Sequence, residues 1–380
     1  MTKEEMLNDI YTEIAKEISI TKPMIEKAEE SYQAVGKWID DGIDNNVQFT
    51  VQGSMGLGTT IKPISDEDDY DIDLVCVLKD GQNLTAKEIK NIVGNRLKEN
   101  EIYRKKIESE GEGKRCWKMQ YNQFHMDILP CVPKTIYMEP NYTDIRLTHK
   151  NEYLKYEDRF SNPEKYKVWF ISCTEDMFVK NRQIYADEYR VDIQKVPFYK
   201  IKTPLQMAIQ LLKRHRDICF EDNVDNAPIS IIITTLAAKA YKGEENVYEA
   251  LVTLLNHMQD YVENRDGVYW IENPVMSEEN FADKWEEYPE RRKAFYEWIN
   301  KAKEDLLTMP LKTQGIHVIG NKLGTVLGEA PVKRALSNMA EDTKKTRDDG
   351  RLFMAGLTKG LTKNESESVV TVKKHTFYGK

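Results

Sequence analysis

The sequence predicts an α/β fold: a sheet-bearing core with N-terminal helices over 1–200, a helical domain over 201–362 and a flexible tail over 363–380, with a cleft between the two domains. Three observations predict it. Runs of β-type residues at 47–52, 70–77, 115–121 and 124–132 all fall in the first half. Strong helical stripes with start signals dominate after residue 200. Between the first two β-type runs lies a glycine turn that leads into closely spaced acids, VQGSMGLGTTIKPISDEDDYDIDLVCV at 51–77.

The elements follow in order. The first 45 residues read as helical: Thr21 can cap a helix with Pro23 in its first turn, and Ile25, Ala28, Tyr32, Val35 and Ile39 share one face. Gly53 and Ser54 turn the chain, and 55–60 opens a short helix. In the strand at 70–77, Asp71 and Asp73 take one face while Tyr70, Ile72 and Leu74 take the other. Thr85 and Glu88 form a capping box for a helix to about residue 100, with Ile89, Ile92, Val93 and Leu97 on its buried face. The runs at 115–121 and 124–132 form a hairpin across Asn122-Gln123. From 133 to 200 the signal is weak: a turn at Ser161-Asn162-Pro163, then a helical reading. Thr203 caps and Pro204 starts a strong helix with Leu205, Ala208, Ile209 and Leu212 buried. Its Lys213, Arg214 and Arg216 read as a solvated basic end. Pro228 begins the next helix, with Ser230 in its first turn. More helices are expected at 245–264, 278–287, 289–308 and 321–341, and poor packing at 341–351 and after Leu361.

Composition bounds the function. At 380 residues, 40% of them hydrophobic, the chain can build two cores. Its five cysteines, Cys76, Cys116, Cys131, Cys173 and Cys219, form no Cys-x-x-Cys pair and read as reduced, in a cytoplasmic protein. The start, MTKEEMLNDI, has no apolar signal core, and the run at 229–238 is too short to span a membrane. A net charge of −8 favours small nucleotides over a long nucleic acid.

The candidate chemistry lies at 51–77. Two carboxylates one strand repeat apart are costly without a cation, and Mg²⁺ suits a few carboxylates plus phosphate oxygens. Glycine lets backbone amides approach a phosphate, and Ser54 adds a hydroxyl. Two rival motifs fail. A P-loop needs lysine where Thr59 stands, and a calcium loop needs glycine where Leu74 stands. Asp127, a lone acid in an apolar strand, reads either as a solvent-facing residue or as a third ligand brought beside Asp71 and Asp73 by sheet pairing. His125 reads as structural.

Gly53-Ser54, then Asp71-x-Asp73, then Asp127 resembles the polymerase-β-like nucleotidyltransferases. GSMGLGTTIKP, DYDIDLVCVL, FHMDILPCVP, SNPEKYKVWF, TPLQMAIQLLKRHRD and NPVMSEENFADKW narrow the resemblance to the bacterial cGAS/DncV-like nucleotidyltransferases (CD-NTases), over most of 45–290. That resemblance implies a mixed-sheet core and template-independent synthesis of a cyclic di- or trinucleotide from ATP, with GTP as a further substrate, in anti-phage (CBASS) defence. It implies that Lys213 and Ser230 grip the donor triphosphate, with Arg214 or Arg216 as substitutes for the lysine. Two Mg²⁺ ions about 3.5–4 Å apart, for which Mn²⁺ can substitute, would sit on Asp71, Asp73 and Asp127. The zinc insertion of the family's animal DNA sensor is absent. CBASS companions, HORMA-type proteins or enzymes that conjugate the synthase C-terminus, imply a partner for the tail, although Lys380 after Gly379 departs from the conjugation pattern. The short β-type run at 369–372 has two readings: it folds back on the chain, or it adds to a partner's sheet. Two other functions stay in view: a 3′-adding poly(A) or CCA polymerase, opposed by the acidic balance, and a non-catalytic nucleotide-binding scaffold, opposed by the intact acids.

Overall fold

A computed structural model describes residues 2–65, 69–108, 111–135, 143–151, 153–189, 201–355, 361–362 and 369–372. The first half runs α1 (Lys3–Ile18), α2 (Lys22–Asp40), β1 (Val47–Gln52), α3 (Gly53–Leu57), β2 (Tyr70–Leu78), α4 (Ala86–Glu99), α5 (Glu101–Glu108), β3 (Trp117–Gln120), β4 (Phe124–Pro133), β5 (Ile145–Lys150), β6 (Tyr156–Ser161), α6 (Pro163–Ser172) and α7 (Glu175–Tyr189). Thr21 stands at the α2 N-cap but makes no side-chain cap bond, whereas Thr85 and Glu88 close the capping box of α4. The short helix begins at Gly53, two residues before the expected start.

Six strands form one mixed sheet in the order β1-β2-β4-β5-β6, with β3 also on β4. β2 and β4 are parallel, and the other pairs are antiparallel. The β2–β4 crossover carries α4 and α5, the usual solution for parallel neighbours. Alternation decides the two faces. Tyr70, Ile72, Leu74, Phe124, Met126 and Ile128 are buried against Ala28, Val35, Ile39, Ile89, Val93 and Leu97 of α2 and α4. Asp71, Asp73, His125 and Asp127 occupy the alternate, less buried positions.

The weak region between 133 and 200 holds two strands, β5 and β6, where only a turn and helix were expected. All six β5 positions face β6 across an antiparallel ladder from Ile145↔Ser161 to Lys150↔Tyr156, so backbone pairing builds this edge while β6 itself buries little apolar surface.

The second half is helical: α8 (Pro204–Cys219), α9 (Ser230–Ala240), α10 (Val247–His257), then after four short strands α11 (Pro289–Lys303), α12 (Met309–Lys312), α13 (Ile316–Leu327) and α14 (Glu329–Asp348). The expected helix at 278–287 is not one. That region carries β7 (Glu263–Arg265), β8 (Val268–Trp270), β9 (Glu272–Asn273) and β10 (Met276–Asn280), then a single 3₁₀ turn. Asn280 explains it: its Oδ1 accepts from Ile271 N and Ala282 N, and its Nδ2 donates to Tyr269 O, so one side chain supplies the bonds a helix would have made.

Helix α1 precedes the sheet in sequence yet packs in the helical core. Leu7, Ile10, Tyr11, Ile14 and Ile18 join Leu205, Leu212, Leu254 and Trp298 there, and Tyr11 Oη donates to Leu306 O at 2.5 Å. The charged stretch 341–348 is the end of α14 rather than loose chain. In the tail, β13 (Val369–Thr371) pairs antiparallel with β11 (Phe353–Ala355), which also pairs with β12 (Leu361–Thr362). The run at 369–371 therefore folds back on its own chain. Residues 363–368 and 373–380 lie outside the described residues.

Candidate active site

At the end of β1 the chain turns at Gly53, with φ +63°, into α3. A Cβ there would lie 1.9 Å from Asp73 Oδ2, so only glycine fits both the backbone and its neighbour. Ser54, half-buried, shares a hydrogen bond with Thr60 Oγ1 at 3.0 Å.

The three acids gather by register. Asp73 faces Gln52 on β1 and Asp127 on β4, and Asp71 faces His125. Burial raises the Asp71 carboxyl above its usual range, and Asp127 adds to the rise while His125 and Lys118 oppose it. Asp73 is pushed up to about 7 by burial, then by Asp127 and Asp71, with Lys213 opposing. Cys116 donates from Sγ to Asp127 Oδ2 at 3.2 Å and so fixes one oxygen of that carboxylate. His125 Nε2 lies 3.3 Å from Asp69 Oδ2, outside the acid trio, which agrees with a structural role.

Carboxylates that repel one another across two strands fit a divalent cation, which would favour their charged forms. Among the described residues, however, the set with ligand atoms all within 4.8 Å of one another is His215, Cys219 and Asp305. That set is a hydrogen-bond network rather than a metal site. Trp298 Nε1–H donates to His215 Nδ1 at 3.1 Å, which leaves the Nε2 proton for Asp305 Oδ2 at 3.1 Å, while Lys301 also holds Asp305. Both ring nitrogens are spent.

The opposite wall is α8. Lys213 and Arg214 are not a solvated end: each is 3% exposed. Lys213 Nζ donates to Thr59 Oγ1 at 3.1 Å, and burial followed by Arg216 pushes its pKa down to about 7, against the pull of Asp217 and Asp73. Other α8 side chains hold the same loop. Gln206 Nε2 donates to Leu57 O at 2.9 Å, Gln210 Nε2 to Thr60 O at 2.7 Å, and Arg214 to Lys62 O and Pro63 O. Helix α8 thus clamps the loop that follows Ser54. Ser230 is exposed at the start of α9 and accepts from Arg216 Nη2 at 3.3 Å, and Arg216 Nη1 donates to Pro228 O at 2.6 Å. Gly53, Asp71, Asp73 and Asp127 come together on the sheet. Lys213 joins them through Thr59 and by charge, and Ser230 is linked only through Arg216.

A cleft of about 720 Å³ opens between Asp73 and the helical half. Gly53 and Asp73 line one end, and Arg115, Phe160, Trp270 and Glu279 line the rest. Reasoning from the sequence missed Cys116, Arg115, Trp270 and Glu279 as site residues. The NPVMSEENFADKW phrase was the one available signal for Glu279.

Paired strands carrying opposed acids beside a glycine-serine turn define a nucleotidyltransferase. Residues 47–131 match the nucleotidyltransferase domain of the cyclic GMP-AMP synthase DncV-like family. A c-di-GMP synthase of Roseivirga ehrenbergii is 32% identical over 387 residues, covering 98% of this chain and 97% of that protein. The chain therefore belongs to the CD-NTase family. The cyclic dinucleotide synthase CdnG of Bradyrhizobium diazoefficiens is 24% identical over 308 residues, 74% of this chain and 70% of that one. Its structure in complex with GTP shares the fold at a TM-score of 0.69 and 21% identity, over 88% of this chain and 99% of that one. CdnC of E. coli MS115-1, solved as a CdnC:HORMA-deltaN complex, shares it at a TM-score of 0.55 and 13% identity, over 84% and 96%. Among the described residues no helix is long and apolar enough to cross a membrane.

Proposed function

We propose that this protein condenses purine nucleoside triphosphates into a cyclic dinucleotide, with GTP ahead of ATP as substrate. The observation that carries the reading is the register of Asp73 against Asp127, with Gly53 packed on Asp73. The Roseivirga relative, a c-di-GMP synthase by name, supports guanine first.

In each transfer a ribose hydroxyl oxygen attacks the α-phosphorus of a donor triphosphate. A new O–P bond forms, the bond to pyrophosphate breaks, and the hydroxyl proton leaves. Asp127 would receive that proton; the Cys116 bond that orients its Oδ2 supports Oδ1 as the accepting atom. Ser54 and the turn at Gly53 hold the outer phosphates, and Lys213 offsets their charge from the other wall while fixing Thr59. Ser230 serves the same triphosphate with Arg216 beside it. Mg²⁺ held by Asp71, Asp73 and Asp127 would supply Lewis-acid activation of the hydroxyl and neutralise charge on the leaving group. A second transfer within the linear dinucleotide closes the ring.

The cellular reading is a cytoplasmic CBASS synthase in anti-phage defence. Five free cysteines support a reducing compartment. A HORMA-type companion that grips the tail would have to bind outside residues 369–371 or peel them from β11. The test is incubation with GTP, ATP and Mg²⁺ followed by mass spectrometry. A cyclic product from wild type and none from Asp73→Asn or Asp127→Asn is expected; linear products alone would overturn the reading.

A further inference from the structure

The wall of the cleft formed by the helical half carries a carboxylate that phosphoryl transfer does not use. Glu279 sits on β10. Its Oε2 accepts from Asn273 Nδ2 at 2.7 Å and from Ser161 Oγ, at the end of β6, at 3.3 Å. Asn273 is itself 2% exposed and fixed, since its Oδ1 accepts from Val275 N at 3.1 Å. Both halves of the chain therefore orient one carboxylate, and among the described residues its Oε1 makes no hydrogen bond. Burial raises the Glu279 carboxyl above its usual range despite those two donors, with Arg115 opposing and Asp283 adding to the rise.

Two further residues line the same cleft. Trp270 presents its ring there, while its Nε1 is closed off from solvent. The Arg115 guanidinium is exposed, and its charge acts on Glu279. Phe160, Met276 and Phe281 add apolar surface for a flat ring. The wall thus offers a fixed acceptor, one exposed donor and a stacking surface.

The Watson–Crick edges of the bases decide what fits. Guanine presents two adjacent donors, N1–H and the 2-amino group, next to the O6 acceptor. Adenine presents an N1 lone pair, which a carboxylate repels, and cytosine likewise presents a lone pair at N3. Uracil has one donor, flanked by acceptors. A site built to hydrogen-bond one edge rejects analogues that leave its buried groups unpaired. We propose that Glu279 is the residue that selects guanine, accepting from N1–H and the 2-amino group, with Arg115 donating to O6. This rests on the nucleotidyltransferase reading above and adds the base that the cleft takes.

The experiment compares wild type with Glu279→Gln and Arg115→Met in the Mg²⁺-loaded full chain. Pyrophosphate release and equilibrium binding are measured for GTP, inosine triphosphate and ATP. Glutamine can still accept from Asn273 and Ser161 but turns an amide donor to the base. Wild type should prefer GTP to ATP, and inosine triphosphate, lacking the 2-amino group, should fall between them. Glu279→Gln should cut the GTP-over-ATP preference by about 10- to 200-fold. Arg115→Met, which keeps an apolar stem, should weaken GTP and inosine triphosphate together and spare ATP. A wild-type preference for ATP, or a GTP/ATP ratio unmoved in both variants, overturns the proposal while leaving cyclic synthesis intact. If wild type transfers no nucleotide, the functional reading fails, and the binding ratios still decide whether Glu279 reads guanine.

Discussion

Gly53 and Asp73 are so close that a Cβ on residue 53 would lie 1.9 Å from Asp73 Oδ2. The contact ties the phosphate-side turn to the acid that faces Asp127. Gly53→Ala would have to move one or the other, and alanine at φ +63° adds about 1–2 kcal/mol of backbone strain. We expect Gly53→Ala to lower pyrophosphate release by roughly 100-fold, as a misplaced reacting group does. Steady-state kinetics at saturating GTP checks it, and a rate within a few-fold of wild type would show that the turn and the acid are not coupled.

Asp73 gives a pH prediction with a definite sign. Its carboxyl titrates at about 7 in the fold against an ordinary 3.8. Between those values the native protein keeps a proton that the unfolded chain releases, so this group's contribution to stability falls as pH rises and is fully lost above 7. In EDTA, Asp73→Asn should therefore melt higher than wild type, with a larger gap at pH 8 than at pH 5, and should be inactive. Thermal unfolding at the two pH values measures this. An equal gap at both would mean that Asp73 carries no unfavourable charge.

The same alternation that predicts Asp73's role explains what else was legible. Tyr70, Ile72 and Leu74 alternate with acids because one face packs on α2 and α4, and that burial writes a period of two into the sequence. Strand β6 leaves no such trace, because four of its six residues are exposed and its pairing to β5 runs through the backbone ladder. The helix expected at 278–287 fails for a related reason: Asn280 spends its side chain on backbone groups, and helical periodicity does not register that. Lys213 and Arg214 look solvated in sequence because a charge run usually is. Their partners are carbonyls and a hydroxyl of a loop some 150 residues away, which no local pattern reveals. The first helix is the plainest case: its apolar stripe is evident, but the core it joins is built from helices after residue 200.

Lys213 joins the two halves through its bond from α8 to Thr59 Oγ1. Losing its charge-assisted bond should cost roughly 1.5–3 kcal/mol, about a 10- to 150-fold fall in kcat/KM for the nucleotide. Ser54→Ala should act in the same direction and more weakly, since Ser54 is half-buried and already shares its hydroxyl with Thr60. Initial rates across a GTP series separate KM from kcat. Unchanged kinetics in Lys213→Ala would move the triphosphate grip to Arg216, which already reaches Ser230.

The tail offers the last test. Val369, Val370 and Thr371 pair with Ala355, Met354 and Phe353, and Val372 N donates to Leu352 O at 2.8 Å. Leu352 and Phe353 are buried, at 4% and 8% exposure, so the pairing covers a small apolar site as well as a strand edge. A handful of backbone hydrogen bonds, each worth about 0.5–1.5 kcal/mol net, makes this strand a modest part of the fold. Deleting 369–380 should therefore lower the melting temperature by a few degrees and leave pyrophosphate release near wild type, because among the described residues β13 pairs with β11 and not with a strand of the site. Val370, 70% exposed, is the natural control: Val370→Lys keeps the backbone ladder and should keep stability. If the deletion melts like wild type, the β11–β13 pairing contributes nothing measurable, and the segment is free to serve as a strand for a companion protein.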